Sequence, residues 1–219
     1  MNTVIKTIRP FAGAAVSAAL VVCAPAVLLA PAPVAAQAEN GDLAQAVAAL
    51  RGISTMRADF EQIDRAGKRV SGVMTLKRPG RIRFQYEKGV PFLIVSDGKA
   101  LTFVDYQVRQ VQRWPISNSP LGALLDPKRD VMKYGKLQSV ANKNLVAVEV
   151  RDKAHPEYGV ITLVFIRKAS APGGLELTSW AALDSQNTRT QVNLRNHQYG
   201  VAVPDSTFRF NDPRPANRR

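Results

Sequence analysis

The chain has 219 residues, with 30 Lys or Arg against 17 Asp or Glu, for a formal charge of +13. Its one cysteine, Cys23, excludes an internal disulfide framework, so a packed core must hold the fold, and the length suits one sizeable domain better than two. In a cytosolic protein the basic excess would suggest nucleic acid. In an exported one it meets phospholipid head groups and acidic partner surfaces, and plain basicity with no specific partner explains it equally well.

In chain order, Lys6 and Arg9 precede an uncharged, Ala-rich run from residue 11 to residue 30, and Ala36-Gln37-Ala38 has the small-x-small pattern of a signal-peptidase site. Residues 1–38 are expected to be a cleaved secretory leader. The alternative is a retained membrane anchor, but Pro25, Pro31 and Pro33 leave the run short for a span. Cys23 follows Val22, not the small residue that lipid attachment requires, and reads as a passive apolar position. Residues 39–219 then form the working domain, ending in a short basic tail, RPANRR, expected to be disordered.

The domain opens with an amphipathic helix over 39–51. Asp42 is placed to cap it, Leu43, Ala46, Val47 and Leu50 form one apolar stripe, and Gly52 stops it. The period then changes to two. Strands are expected over 56–63, 68–78, 81–87, 92–96, 100–105 and 108–114, with turns at Arg65-Ala66-Gly67 and Asp97-Gly98. Ser119-Pro120 opens a short helix that Pro127 stops, with Leu121, Leu124 and Leu125 along one edge. Spacing alone favours a loop helix plugging a core edge over a movable lid. Strands resume over 132–140, 145–152, 160–168, 175–184 and 188–199, and Phe208 and Phe210 suggest a last short edge segment.

About eleven strands joined by tight turns make one large antiparallel sheet, not a βαβ fold. Residues 145–150 and 160–166 are apolar on both faces and need cover on both sides. Two helices are too few to cover such a sheet, so it must curl into an incomplete barrel with the helices as its cap. A hollow that side chains leave unfilled would suit an apolar ligand.

Chemistry is not evident. His155 and His197 lack partners at metal-ligand spacing, and there is no nucleophile elbow, phosphate loop or dinucleotide fingerprint. Neither a metal, a cofactor nor an enzymatic activity is expected. Trp114 and Trp180, taken singly, read as ordinary core.

The ordered set Phe60-Glu61-Gln62, Gly72-Val73-Met74-Thr75-Leu76-Lys77-Arg78-Pro79, Arg81-Ile82-Arg83-Phe84-Gln85-Tyr86, Ile94-Val95-Ser96-Asp97-Gly98 and Ser119-Pro120 resembles the periplasmic outer-membrane lipoprotein carrier family called LolA. The resemblance covers residues 42–213. It implies an incomplete antiparallel barrel with a helical lid over a hydrophobic cavity, in a periplasmic, non-enzymatic chaperone that takes lipoproteins from an inner-membrane ABC transporter to the outer membrane. It also places Arg78 at the family's latch, with backbone carbonyls near Leu50, Leu124 and Leu125 as its acceptors. Without the resemblance, Arg78 reads as a surface arginine before a proline. Alternation from Arg78 makes Met74, Leu76, Ile82, Phe84, Tyr86, Leu101, Phe103 and Leu121 the expected acyl-chain cavity, with Leu124 and Leu125 above it.

The implied partners are lipoprotein cargo, the releasing transporter, and either an outer-membrane acceptor protein or the membrane itself. No nucleic acid is expected, and the chain is expected to act as a monomer. Ile82 and Phe84 stand where the family often has larger aromatics, and the basic tail is not a family feature. Two other readings on the same fold stay open: a carrier of free lipids or glycolipids, and an envelope regulator that senses mislocalised lipoproteins.

Overall fold

The computed structural model describes residues 34–126 and 129–215, with side chains from Gly41 onward. The expected leader up to residue 33 and residues 216–219 of the expected tail lie outside them. Helix α1 (Val34–Gly52) buries Ala46, Val47, Ala49 and Leu50 and ends at its glycine. It starts upstream of Asp42, which is therefore not its cap. Instead the Asp42 carboxylate accepts from Arg167 Nη2 at 2.7 Å through each of its oxygens, and Gln45 Oε1 accepts from Arg167 Nη1 at 3.0 Å. The segment that crosses the helix comes close enough to require a glycine. A Cβ on Gly173, whose φ is +64°, would lie 2.6 Å from the Ala49 nitrogen.

Eleven strands follow: β1 (Thr55–Ile63), β2 (Arg69–Lys77), β3 (Arg81–Tyr86), β4 (Phe92–Asp97), β5 (Ala100–Asp105), β6 (Gln110–Pro115), β7 (Gly135–Gln138), β8 (Leu145–Arg151), β9 (Val160–Arg167), β10 (Leu175–Leu183) and β11 (Arg189–Tyr199). They make a single sheet in the order β6-β5-β4-β3-β2-β1-β11-β10-β9-β8-β7, antiparallel at every pairing. The curled, unclosed antiparallel sheet expected from the sequence is the observed fold. Its two edges are β6 and β7, which are consecutive in the chain but do not pair.

Register decides which residues share the concave face, because paired residues point the same way. Ala58, Met74, Phe84, Ile94 and Phe103 form one rung across five strands, and Met56, Leu76, Ile82, Ser96 and Leu101 form the next. On the other half of the barrel, Val148, Leu163, Trp180 and Val192 form a third. Ser96 is the polar exception. Its Oγ donates to the Gly80 carbonyl at 2.7 Å and accepts from the Gly98 amide at 3.2 Å, tying the β2–β3 turn to the β4–β5 turn.

The convex face corrects two expectations. In β9, Ile161, Leu163 and Phe165 are buried, but Val160, Thr162 and Val164 are only half-buried and Ile166 is exposed, so its outer side is not covered. In β8 the outer-facing Ala147 is buried along with Val146, Val148 and Val150, and cover on both sides extends to β4 and β5. There Leu93, Val95 and Val104 form a second apolar cluster with Phe208, backed by Val203 and Phe210. Phe208 and Phe210 are therefore not an edge strand. They belong to a strap containing a 3-10 turn (Asp205–Phe208), laid across the outside of the sheet.

Charges fasten this strap. Lys77 Nζ donates to the Val203 carbonyl at 2.8 Å and to Asp205 at 2.7 Å, and Arg81 donates to Asp205 at 2.6 Å. Arg83 Nη1 donates to the carbonyls of Thr207 and Arg209 at 3.2 and 2.9 Å. Phe208→Ala should lower unfolding free energy in urea by about 3 kcal/mol, the usual cost of deleting a buried phenylalanine ring. A loss below about 1 kcal/mol would show that the strap is not part of the packed core.

Candidate functional site

The segment from β6 to β7 has to span the gap between the two sheet edges. It does so with a 3-10 turn (Ile116–Asn118), α2 (Gly122–Leu125) and α3 (Val131–Tyr134). Ser119 Oγ accepts the Leu121 amide at 3.2 Å, but Pro120 and Leu121 form a turn, so the helix starts later than expected and is a single turn long. The strand expected over 132–140 begins as helix. Asp130 Oδ1 accepts the amides of Met132 and Lys133 and caps α3, and sheet pairing starts only at Gly135.

The underside of this lid is apolar. Ile116, Ala123, Leu124 and Leu125 are buried, the two leucines to 1% exposure, in the same cluster as Met74, Leu76, Ile82, Phe84, Tyr86 and Leu101. Leu121 packs partly buried against that cluster. Phe103 shares the rung of Phe84 and Ile94 but is half-buried near the β6 edge, paired with Phe92 at 5.5 Å between ring centres. The hollow expected beneath the lid is thus mostly occupied, and the lid leucines are its occupants.

The space that remains is a cleft of about 190 Å3 beside the lid. Phe84, Ile94, Pro120, Leu121, Trp180 and Val192 line it, with Gln62 and Thr190 at its polar margin. This is below the roughly 300–1,000 Å3 usual for ligand sites. Edge-to-face aromatic contacts hold the floor: Phe60 lies 5.2 Å from both Phe84 and Tyr86, and Phe84 lies 6.1 Å from Trp180. The Tyr86 hydroxyl donates to Gln62 Oε1 at 2.7 Å, and burial pushes its pKa above the ordinary phenol value.

Ile94, Pro120, Trp180 and Val192 were not among the expected cavity residues. Register carries the missing signal for two of them, since Ile94 lies opposite Phe84, and Val192 opposite Trp180. Single-strand alternation does not report which strands become neighbours.

Arg78 follows β2 and reaches up to the lid. Its backbone amide donates to the Ser54 carbonyl at 2.9 Å, and its Nη2 donates to the Leu124 carbonyl at 3.0 Å. Leu124 is the only one of the three proposed acceptors to take a bond from it among the described residues. The Leu50 carbonyl accepts from Ile53, and Leu50 instead lines a gap of about 120 Å3 beside Arg78 and Arg51. Burial, and then the nearby Arg51 charge, lower the Arg78 pKa from its ordinary value. The Arg78 Nε is buried with no partner among the described residues.

One charge-assisted bond is worth about 1.5–3 kcal/mol, and a buried unpaired donor costs about 1–3 kcal/mol. The unpaired Nε therefore offsets part of what the bond to Leu124 contributes. Among the described residues no group of His, Cys, Asp and Glu is placed to hold a metal ion, and no helix is long and apolar enough to cross a membrane.

Comparison with known proteins gives the context of this geometry. The profile of a family described as "Outer membrane lipoprotein carrier protein LolA" matches residues 51–211, well over half of the chain. An outer-membrane lipoprotein carrier protein from Chromobacterium violaceum is 30% identical over 189 residues, covering 82% of this chain and 88% of that one. Another from Dechloromonas aromatica is 28% identical over 177 residues, covering 77% and 82%. Among solved structures, a LolA superfamily protein from Nitrosomonas europaea superposes with a TM-score of 0.45 at 11% identity, covering 78% of this chain and 97% of that one.

Arg78→Leu should lower global stability by no more than about 1.5 kcal/mol, because the relieved desolvation offsets part of the lost bond. Hydrogen exchange at the amides of Leu125 and Asp126 should nonetheless accelerate by about tenfold, the equivalent of about 1.4 kcal/mol of lid closure. Unchanged exchange at both amides would show that Arg78 does not hold the lid.

Proposed function

The chain belongs to the LolA family of outer-membrane lipoprotein carrier proteins, and from that premise we propose that it carries lipoproteins across the periplasm by their acyl chains. In this reading residues 1–38 direct export and are removed. Cargo arrives from an inner-membrane ABC transporter and leaves to the outer membrane, through an acceptor protein or directly. The protein performs no covalent step.

One observation carries the reading: Leu124 and Leu125 occupy the concave apolar face that an acyl chain would need. Lid and cargo therefore compete for the same surface, and their magnitudes differ. Burying a leucine is worth about 1.5–3 kcal/mol, so two contribute on the order of 5 kcal/mol to closure. An acyl chain of roughly sixteen carbons, at about 0.8 kcal/mol per methylene, gains on the order of 10 kcal/mol, and lipoprotein anchors carry more than one.

Cargo thus displaces the lid, and its net affinity falls by whatever closure is worth. That reduction lets the carrier release its load to a membrane. The walls offered to cargo are those of Met74, Leu76, Ile82, Phe84, Tyr86, Leu101, Phe103 and Leu121, joined by Ile94, Trp180 and Val192. Arg78 sets the rest position of the lid through Leu124.

Two measurements test this. In a Trp114→Phe background Trp180 is the sole tryptophan, and a triacylated peptide with brominated chains should quench its fluorescence by half or more at saturation. Arg78→Leu should accept lipoprotein and fail to deliver it in a reconstituted transfer assay. Absence of quenching, with binding shown independently, would place the acyl site elsewhere, and normal delivery by Arg78→Leu would remove the latch. Mass spectrometry of co-purified ligand separates lipoprotein cargo from free lipid.

A further inference from the structure

The sheet edges β6 and β7 are joined by no backbone ladder among the described residues, which leaves a seam in the barrel, and one side chain links the turn after β6 to the loop after β8. We infer that Arg129 is a second positioning residue, a clasp that holds the seam shut and limits how far the edges part when cargo enters. This rests on the carrier reading for its purpose, though not for its geometry.

Arg129 lies between α2 and α3, and its side chain is only 9% exposed. Its Nη2 donates to the Ser117 carbonyl at 2.8 Å, in the first turn of the lid directly after β6. Its guanidinium carbon lies 4.5 Å from the ring centre of Tyr158, in the loop between β8 and β9. Its Nη1 is 3.9 Å from the carboxylate of Asp152, itself 6% exposed, just beyond the end of β8. One planar cation thus joins the β6 side of the gap to the β8–β9 side.

The surroundings suit the role. Tyr158 stacks on His155 at 4.7 Å, and the Asp152 carboxylate accepts the Ala154 amide at 3.0 Å, so both partners of the guanidinium are held by their own loop. Gly122 leaves room beside it: a Cβ there would sit 3.0 Å from the Ile116 carbonyl oxygen and 3.5 Å from Arg129 Nη2. Lysine cannot replace this arrangement, since a single ammonium lacks the flat face for Tyr158 and the fork that reaches two oxygens. Arg78 and Arg129 are therefore not duplicates. Arg78 ties the middle of the lid to the end of β2, whereas Arg129 ties the turn after β6 to the β8–β9 loop.

The test compares the parent, Arg129→Leu, Arg129→Lys and Tyr158→Leu by hydrogen exchange and by uptake of a fluorescent long-chain fatty acid. Exchange at the amides of Ser119 and Gly122 should accelerate by about tenfold in Arg129→Leu and Tyr158→Leu, and by less in Arg129→Lys, with β1 amides unchanged. Fatty-acid uptake should quicken in the same order. Unchanged exchange at Ser119 and Gly122 in both the Leu variants overturns the clasp. So does equal acceleration in β1, which would mark a general loss of folding. Failure of the parent to take up the fatty acid counts against the carrier reading alone, because the exchange data decide the clasp without any ligand.

Discussion

An open sheet with a greasy concave face has two debts to water: two edges of unpaired backbone, and the apolar surface between them. In this protein one chain segment answers both. Residues 116–134 connect β6 to β7, the two edges, and turn Leu124 and Leu125 into the hollow. The interaction on which the rest depends is this self-filling of the barrel by its own lid. It gives a water-compatible form to a surface whose chemistry suits hydrocarbon.

Two arginines meet the lid: Arg78 through one bond to the Leu124 carbonyl, with its Nε without a partner among the described residues, and Arg129 through the Ser117 carbonyl. The helices in it are one turn each, too short to be stable by themselves and dependent on packing. The rest of the barrel is built differently. The aromatic floor of Phe60, Phe84, Tyr86 and Trp180 is interlocked edge to face, α1 is pinned through Asp42 and Arg167, and the C-terminal strap is clamped by Lys77, Arg81 and Arg83. The one-turn helices are thus the part of the barrel that depends most on packing, and in the proposed carrier role they are the part that moves.

The strands were legible because alternation and turn residues agree along nearly all of the sheet. That Met74, Leu76, Ile82 and Phe84 face inward follows from alternation counted from Arg78. What the sequence could not show was pairing at a distance. Ile94 and Val192 enter the cleft through neighbours that only register reveals. Asp42 reads as a helix cap, and its actual partner, Arg167, is 125 residues away. The helix at Val131–Tyr134 was hidden by an apolar pattern too short to separate helix from strand, although Asp130 marks its start. Phe208 reads as an edge strand because alternation does not say which face of the sheet a terminal segment will cover.

The claim that lid and cargo exclude one another can be observed at the lid itself, by methyl NMR during titration with a triacylated lipopeptide. The account predicts that the Leu124 and Leu125 methyl signals leave their buried positions in proportion to occupancy, while those of Leu163 and Leu177, in the strands of the barrel, keep the shifts of the core. Saturation of the protein with lipopeptide while Leu124 and Leu125 keep their unliganded shifts would contradict it.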